Sequence, residues 1–150
     1  MPKPFHLQPL LDLSNLRLEE ATRQLGQLIS SEQEASQRLA LLVQYREEYQ
    51  QRFLEAAQMG LGPTALRNYQ SFLARLDEAI EQARALVEAS KERTLAGQKN
   101  WLDKRRKAKA FDTLAQRHRE RLATAQARQI QKELDEHAAR RFLPHEGDKK

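Results

Sequence analysis

The side chains able to carry acid–base, metal or nucleophilic chemistry are few and scattered. His6, His118, His137 and His145 stand at no metal-ligand spacing. His137 can share a helical face with Glu133, but two ligands do not make a site, so the four read as surface histidines. Glu19-Glu20 and Glu47-Glu48 are adjacent carboxylates on solvent-facing helical positions, with no pocket to move their pKa values. The chain has no cysteine, which excludes disulfides, thiolate metal sites and cysteine nucleophiles. Glycine-rich phosphate loops, G-x-S-x-G elbows and H-E-x-x-H motifs are all missing. The sequence therefore predicts no catalytic residue, no metal and no cofactor, and a protein that is not an enzyme.

What remains is chemistry of recognition, and it takes two forms. The first is charge. The formal net charge of +5 is unevenly spread: residues 1–98 hold 11 Lys/Arg against 13 Asp/Glu, and residues 99–150 hold 15 against 8. The excess centres on Lys99 to Arg128, with the run Lys104-Arg105-Arg106-Lys107 and the trio Arg117, Arg119, Arg121. Such a stretch points to an acidic or polyanionic partner, or is a solvated helical face. A basic helical nucleic-acid-binding protein is one rival reading, motivated by a pI of about 9.7. The block lacks interleaved aromatics and any recognisable binding motif, so no nucleic-acid partner is expected. The second form is aromatic: Tyr45 and Tyr49 one helical turn apart, and Tyr69 close to Phe72.

Helices must position both groups. Apolar residues are 39%, aromatics 6% and charged residues 31%, with 5 Gly and 5 Pro, a composition of long helices or coiled coils. Valine occurs only at Val43 and Val87, which excludes strand-rich folds. No apolar run approaches the roughly 20 residues needed to span a bilayer, and the N-terminus lacks the continuous apolar core of a signal peptide. The chain reads as soluble and cytoplasmic. Strong punctuation in the middle falls only at Met59-Gly60-Leu61-Gly62-Pro63-Thr64, where glycine can close one helix and Pro63 or Thr64 open the next. The expected architecture is all-α: a single elongated two-helix antiparallel coiled-coil hairpin, the second helix longer than the first. Helix one is placed at about 11–57, the turn at 58–63, helix two at about 64–141 and a frayed tail at 142–150.

The first helix carries a heptad repeat whose a and d positions are Leu11, Ser14, Leu18, Ala21, Leu25, Leu28, Glu32, Ala35, Leu39, Leu42, Arg46, Tyr49, Phe53 and Ala56. The second starts with Tyr69, Leu73, Leu76, Ile80, Ala83 and Val87, weakens through Ser90, Thr94 and Gly97, and resumes at Trp101, Ala108, Phe111 and Ala115. Folding back at Leu61 sets Phe53 against Tyr69, Tyr49 against Leu73, Ala21 against Trp101 and Leu11 against Phe111. The layers Glu32–Ser90, Leu28–Thr94 and Leu25–Gly97 are poor, and a soft or bent stretch is expected there. At 1.5 Å per residue the helices reach roughly 70 and 115 Å, so about thirty residues of helix two project alone. The g positions Tyr45, Phe72 and Ala79 widen the seam into an apolar strip on one edge, with Leu42, Tyr49 and Leu76 beside them. Part of that strip must face outward, as binding surfaces do. Self-association through the strip, as a coiled-coil adaptor, is the other rival reading.

At these residues the sequence resembles a known family. The stretch L-L-V-Q-Y-R-E-E-Y at 41–49, the glycine-containing turn and N-Y-Q-S-F-L-A-R-L-D-E-A-I at 68–80 are similar to the flagellar type III export protein FliJ family. Leu25-Gly26, the W-x-x-K pattern from Trp101 to Lys104 and Leu114 add to the match. The resemblance implies a coiled-coil stalk that binds the hexameric export ATPase FliI and the cytoplasmic domain of the export gate protein FlhA, coupling ATP hydrolysis to export, with export chaperones as further partners. It implies a cytoplasmic location, peripheral to the inner membrane and without direct membrane insertion. The family's gate contacts carry over to Leu42, Tyr45, Tyr49, Phe72, Leu76 and Ala79. The ATPase contact is placed around Trp101, Arg105, Arg106, Arg117 and Arg121. The chain departs from its relatives at Arg38 and Ala83, on the outer border of the gate patch.

Overall fold

The computed structural model describes residues 3–142. They form two long helices packed against each other, α1 (Gln8–Met59, 52 residues) and α2 (Pro63–Phe142, 80 residues), with no strand among the described residues. The α1 helix starts at Gln8, three residues ahead of the expected boundary. There the Gln8 backbone N–H donates to the Phe5 carbonyl at 3.1 Å and that of Leu11 to the Leu7 carbonyl at 3.0 Å. The turn follows the glycine logic. Gly60 takes φ +93°, a left-handed conformation that costs glycine little, and its N–H donates to the Ala57 carbonyl at 3.2 Å. Pro63 occupies the first helical position, where its missing N–H is no loss, and the Leu66 N–H returns to the Gly62 carbonyl at 3.0 Å. Of the expected tail, Phe142 ends α2 and the rest lies outside the described residues.

The chain divides into two compact units: Arg17–Lys104, and Met1–Leu16 with Arg105–Lys150. In the first unit, the hairpin, the register centres on Leu61 as the heptads require. The rings of Phe53 and Tyr69 lie 5.6 Å apart, and Tyr49 lies 5.3 Å from Tyr69 and 4.2 Å from Phe72. Thr94 Oγ1 is 3.4 Å from the Leu28 carbonyl, and Trp101 Nε1 donates to Thr22 Oγ1 at 2.9 Å. Ile80, Ala83 and Val87 form the most buried apolar stretch, with Ala21 buried in the layer of Trp101.

The layers expected to be poor are closed instead. Ser90 and Thr94 are each only 6% exposed, as buried as Val87. Their hydroxyls donate to the carbonyls one turn earlier, Ser90 to Leu86 at 2.8 Å and Thr94 to Ser90 at 3.0 Å, so burial leaves no polar group unpaired. A methyl group on Gly97 would stand 2.6 Å from Leu28 Cδ1 and 3.5 Å from Leu25 Cδ1. Small residues on α2 thus receive the leucines of α1, and both helices run through these layers without a break.

In the second unit Leu11, Ala108 and Ala115 are buried and Phe111 is half-buried. The cover extends further than helix one alone was expected to reach. Residues 3–7 continue the packing: the Phe5 ring lies 5.6 Å from His118, and His118 Nε2 donates to the Lys3 carbonyl at 2.9 Å. His118 is therefore half-buried at a seam position rather than a plain surface histidine. The uncovered part of α2 begins at Ala123, and every residue from there to Phe142 is exposed. The projecting stretch is shorter than the thirty or so residues expected from the end of α1, because the segment before α1 shields another turn of α2.

Candidate functional site: an apolar edge and a basic helical face

In an antiparallel pair the g positions of both helices flank one side of the seam and the e positions flank the other. The hairpin unit makes these two sides chemically different. On the g side, Leu42, Tyr49, Leu76 and Ala79 are half-buried, whereas Tyr45 and Phe72 are 50% and 42% exposed. Tyr49 is the link, since its ring packs at 4.2 Å on Phe72 while itself belonging to the seam. All six strip residues predicted from the heptads belong to this unit.

Two further members were not foreseen. Leu41 is 47% exposed one turn before Tyr45, and Leu86 is 51% exposed at the next g position after Ala79. Leu86 borders a groove with Ala35, Arg38, Ala83 and Ser90. Leu86 keeps the g spacing set by Phe72 and Ala79, whereas Leu41 lies at a c position outside that row. With Ser90 and Thr94 closed beneath it, the edge continues.

The e side is charged. Arg46 occupies a seam position but turns its guanidinium outward, where Nε donates to the Asp77 carboxylate and Nη1 to Gln50 Oε1 at 2.8 Å. The bond and the negative charge of Asp77 push the Arg46 pKa further above its already high ordinary value. Arg84 pairs with Glu81 at 3.3 Å on the same side. An edge of this kind is well hydrated and gives little on association, while exposed Tyr, Phe and Leu side by side are what interface centres are made of.

The residues assigned to the basic site fall in different units. Trp101 belongs to the hairpin, where it is half-buried and its indole N–H is held by Thr22, whose hydroxyl in turn donates to the Leu18 carbonyl at 2.8 Å. Arg105, Arg106, Arg117 and Arg121 belong to the second unit and are exposed. Arg117 and Arg121 share a shallow groove with Glu120, Thr124 and Arg128. Arg128 extends the face, being eleven residues from Arg117, which is three helical turns. Among the described residues no three His, Asp or Glu side chains converge where they could hold a metal ion, and no helix is long and apolar enough to cross a membrane.

The family model described as Flagellar FliJ protein matches residues 3–147, nearly the whole chain. The chain belongs to the FliJ family. Two curated relatives agree: the Flagellar FliJ protein of Salmonella typhi is 31% identical over 134 residues, 89% of this chain and 91% of the relative. That of Escherichia coli (strain K12) is 30% identical over the same length and shares. Membership places the chain in flagellar protein export and flagellum biogenesis, and its helical hairpin is the coiled coil expected of it.

Proposed function

We propose that this FliJ family member is a non-enzymatic coiled-coil connector between the export ATPase ring and the export gate. The hairpin unit engages the gate's cytoplasmic domain through Leu42, Tyr45, Tyr49, Phe72, Leu76 and Ala79. The basic set Trp101, Arg105, Arg106, Arg117 and Arg121 addresses acidic loops of the FliI-like ATPase, and export chaperones use the same molecule as a carrier. Binding at the ring alters its assembly or turnover, so ATP hydrolysis reaches export only through that partner. Its place is the cytoplasm, held at the inner membrane by these contacts.

One observation carries the reading: the outward exposure of Tyr45 and Phe72 on the apolar edge of a hairpin whose other edge, at the same level, carries the Arg46–Asp77 and Arg84–Glu81 ion pairs. A monomeric coiled coil gains nothing from exposing aromatic rings, whereas a docking surface needs them. The test is a titration of the gate's cytoplasmic domain with wild type and Tyr45→Ala, with the ATPase assayed in parallel. Tyr45→Ala is expected to weaken gate binding about tenfold while leaving stimulation of hydrolysis intact. If the wild-type chain changes neither hexamer formation nor hydrolysis rate, and Tyr45→Ala binds the gate normally, the proposal fails.

A further inference from the structure

We infer that the apolar edge is one continuous groove, running from Phe72 past Leu86 to Ser90, that seats a single amphipathic helix of the gate-side partner in a defined orientation. The inference rests on the proposed function of the edge and adds its length, the secondary structure of its occupant and the charge pattern that the occupant carries.

Exposed apolar side chains stand on both walls: Leu41 and Tyr45 on α1, Phe72 and Leu86 on α2. Between them the floor is low, because Ala35, Ala79 and Ala83 occupy the g and d positions that larger residues fill elsewhere. Two walls with a small-residue floor between them match the ridge of one helix, whose apolar side chains recur every three and four residues. The rims beyond the walls differ in charge. On α1, Glu34 lines the groove at its Leu86 end and Glu48 stands at the outer position beyond Tyr45, both exposed. On α2 the corresponding outer position carries Arg75, and Arg93 stands in the g row itself, one heptad beyond Leu86, both exposed. An occupant that sets basic residues on its α1-facing flank and acidic residues on its α2-facing flank satisfies both rims, and the reversed helix sets like charges together. Arg38, inside the groove, supplies one charge at the end that the six strip residues leave uncovered.

The chain contains no cysteine, so a single introduced thiol reports one position. A photocrosslinker on Leu86→Cys of the full chain, mixed with the gate's cytoplasmic domain, is expected to capture a helical segment with apolar residues three and four apart and basic residues along one flank. The same label on Leu95→Cys, 58% exposed but on the outer face, is expected to capture nothing. In titrations, Leu86→Ala is expected to weaken gate binding about as much as Tyr45→Ala, roughly tenfold. The double reversal Glu34→Lys/Glu48→Lys is expected to slow association in low salt. Circular dichroism of each variant establishes that helicity is retained. Weakening by Tyr45→Ala alone, with Leu86→Ala at wild-type affinity, overturns the longer groove and leaves the proposed function standing. Wild-type binding by both variants overturns both. Crosslinks from Leu86 into a second copy of this chain, or into a non-helical segment, overturn the occupant named here.

Discussion

Replacing Gly97 by alanine sets two effects against each other at one atom. In the middle of a helix alanine is favoured over glycine by about 1 kcal/mol, through helix propensity and the lost freedom of the unfolded chain. Gly26, mid-α1 with nothing within 4 Å of an added methyl group, is free to show that gain. At Gly97 the new methyl lands 2.6 Å from Leu28 Cδ1. Carbon atoms rest at about 3.5–4.0 Å, so Leu28 must move by an ångström or more. Leu25 Cδ1 lies 3.5 Å from the same methyl, so the half-buried Leu28 side chain yields only by turning away from the layer it closes. Overpacking of this kind costs about 1–3 kcal/mol, so Gly97→Ala is expected to be net destabilising by about 1 kcal/mol. Against Gly26→Ala the difference is then about 2 kcal/mol. Urea unfolding followed by circular dichroism measures both. Leu28→Ala completes a cycle: alone it opens a cavity and destabilises, but in its presence Gly97→Ala becomes stabilising, a coupling of about 2 kcal/mol. If Gly97→Ala stabilises the wild-type chain as much as Gly26→Ala does, Leu28 does not pack on Gly97 and the register is wrong.

Other consequences are simpler to read. Ile80→Ala, at a site 4% exposed, is expected to cost about 2–5 kcal/mol in thermal or urea unfolding, whereas Tyr45→Ala shifts the midpoint little because its ring is half in water. Trp101→Phe removes the donor to Thr22 and is expected to cost about 1 kcal/mol; Thr22→Val should cost a similar amount, and the two losses should not add. A double-mutant cycle on Arg46 and Asp77 is expected to show a coupling that shrinks as salt is added, and a salt-independent coupling would contradict the exposed ion pair. Truncation after Leu122 removes a stretch whose described residues, 123–142, are all exposed, and is expected to leave the melting temperature unchanged while weakening any salt-dependent binding that uses Arg128.

Much of the hairpin was legible because heptad spacing is a local property of the chain. All fourteen a and d positions read from helix one are buried or half-buried, including Ser14, Glu32 and Arg46. The turn was equally plain, since only glycine takes the φ of Gly60 without strain and proline tolerates a helix start. What pattern reading undervalued were small and polar residues at seam positions. Ser90, Thr94 and Gly97 looked like a weak stretch and are closed layers, and Lys104 and His118 keep the heptad spacing without being apolar. Leu86 keeps the g spacing of Phe72 and Ala79 and is legible in the same way, whereas Leu41 stands at a c position that the heptad does not assign to the seam.

By itself, then, the chain determined the helical class, the site of the reversal and which faces meet, because each follows from periodicity and backbone preference over a few residues. Only the tertiary structure decided how a layer fills. Leu28 can close over Gly97 because the two helices approach there, and a serine hydroxyl can be buried because a carbonyl one turn away accepts it. It also decided that residues 3–7 shield His118, and which of the flanking aromatic and leucine side chains keep their faces in water. Those outcomes depend on the volumes of residues distant in sequence, which no local spacing records.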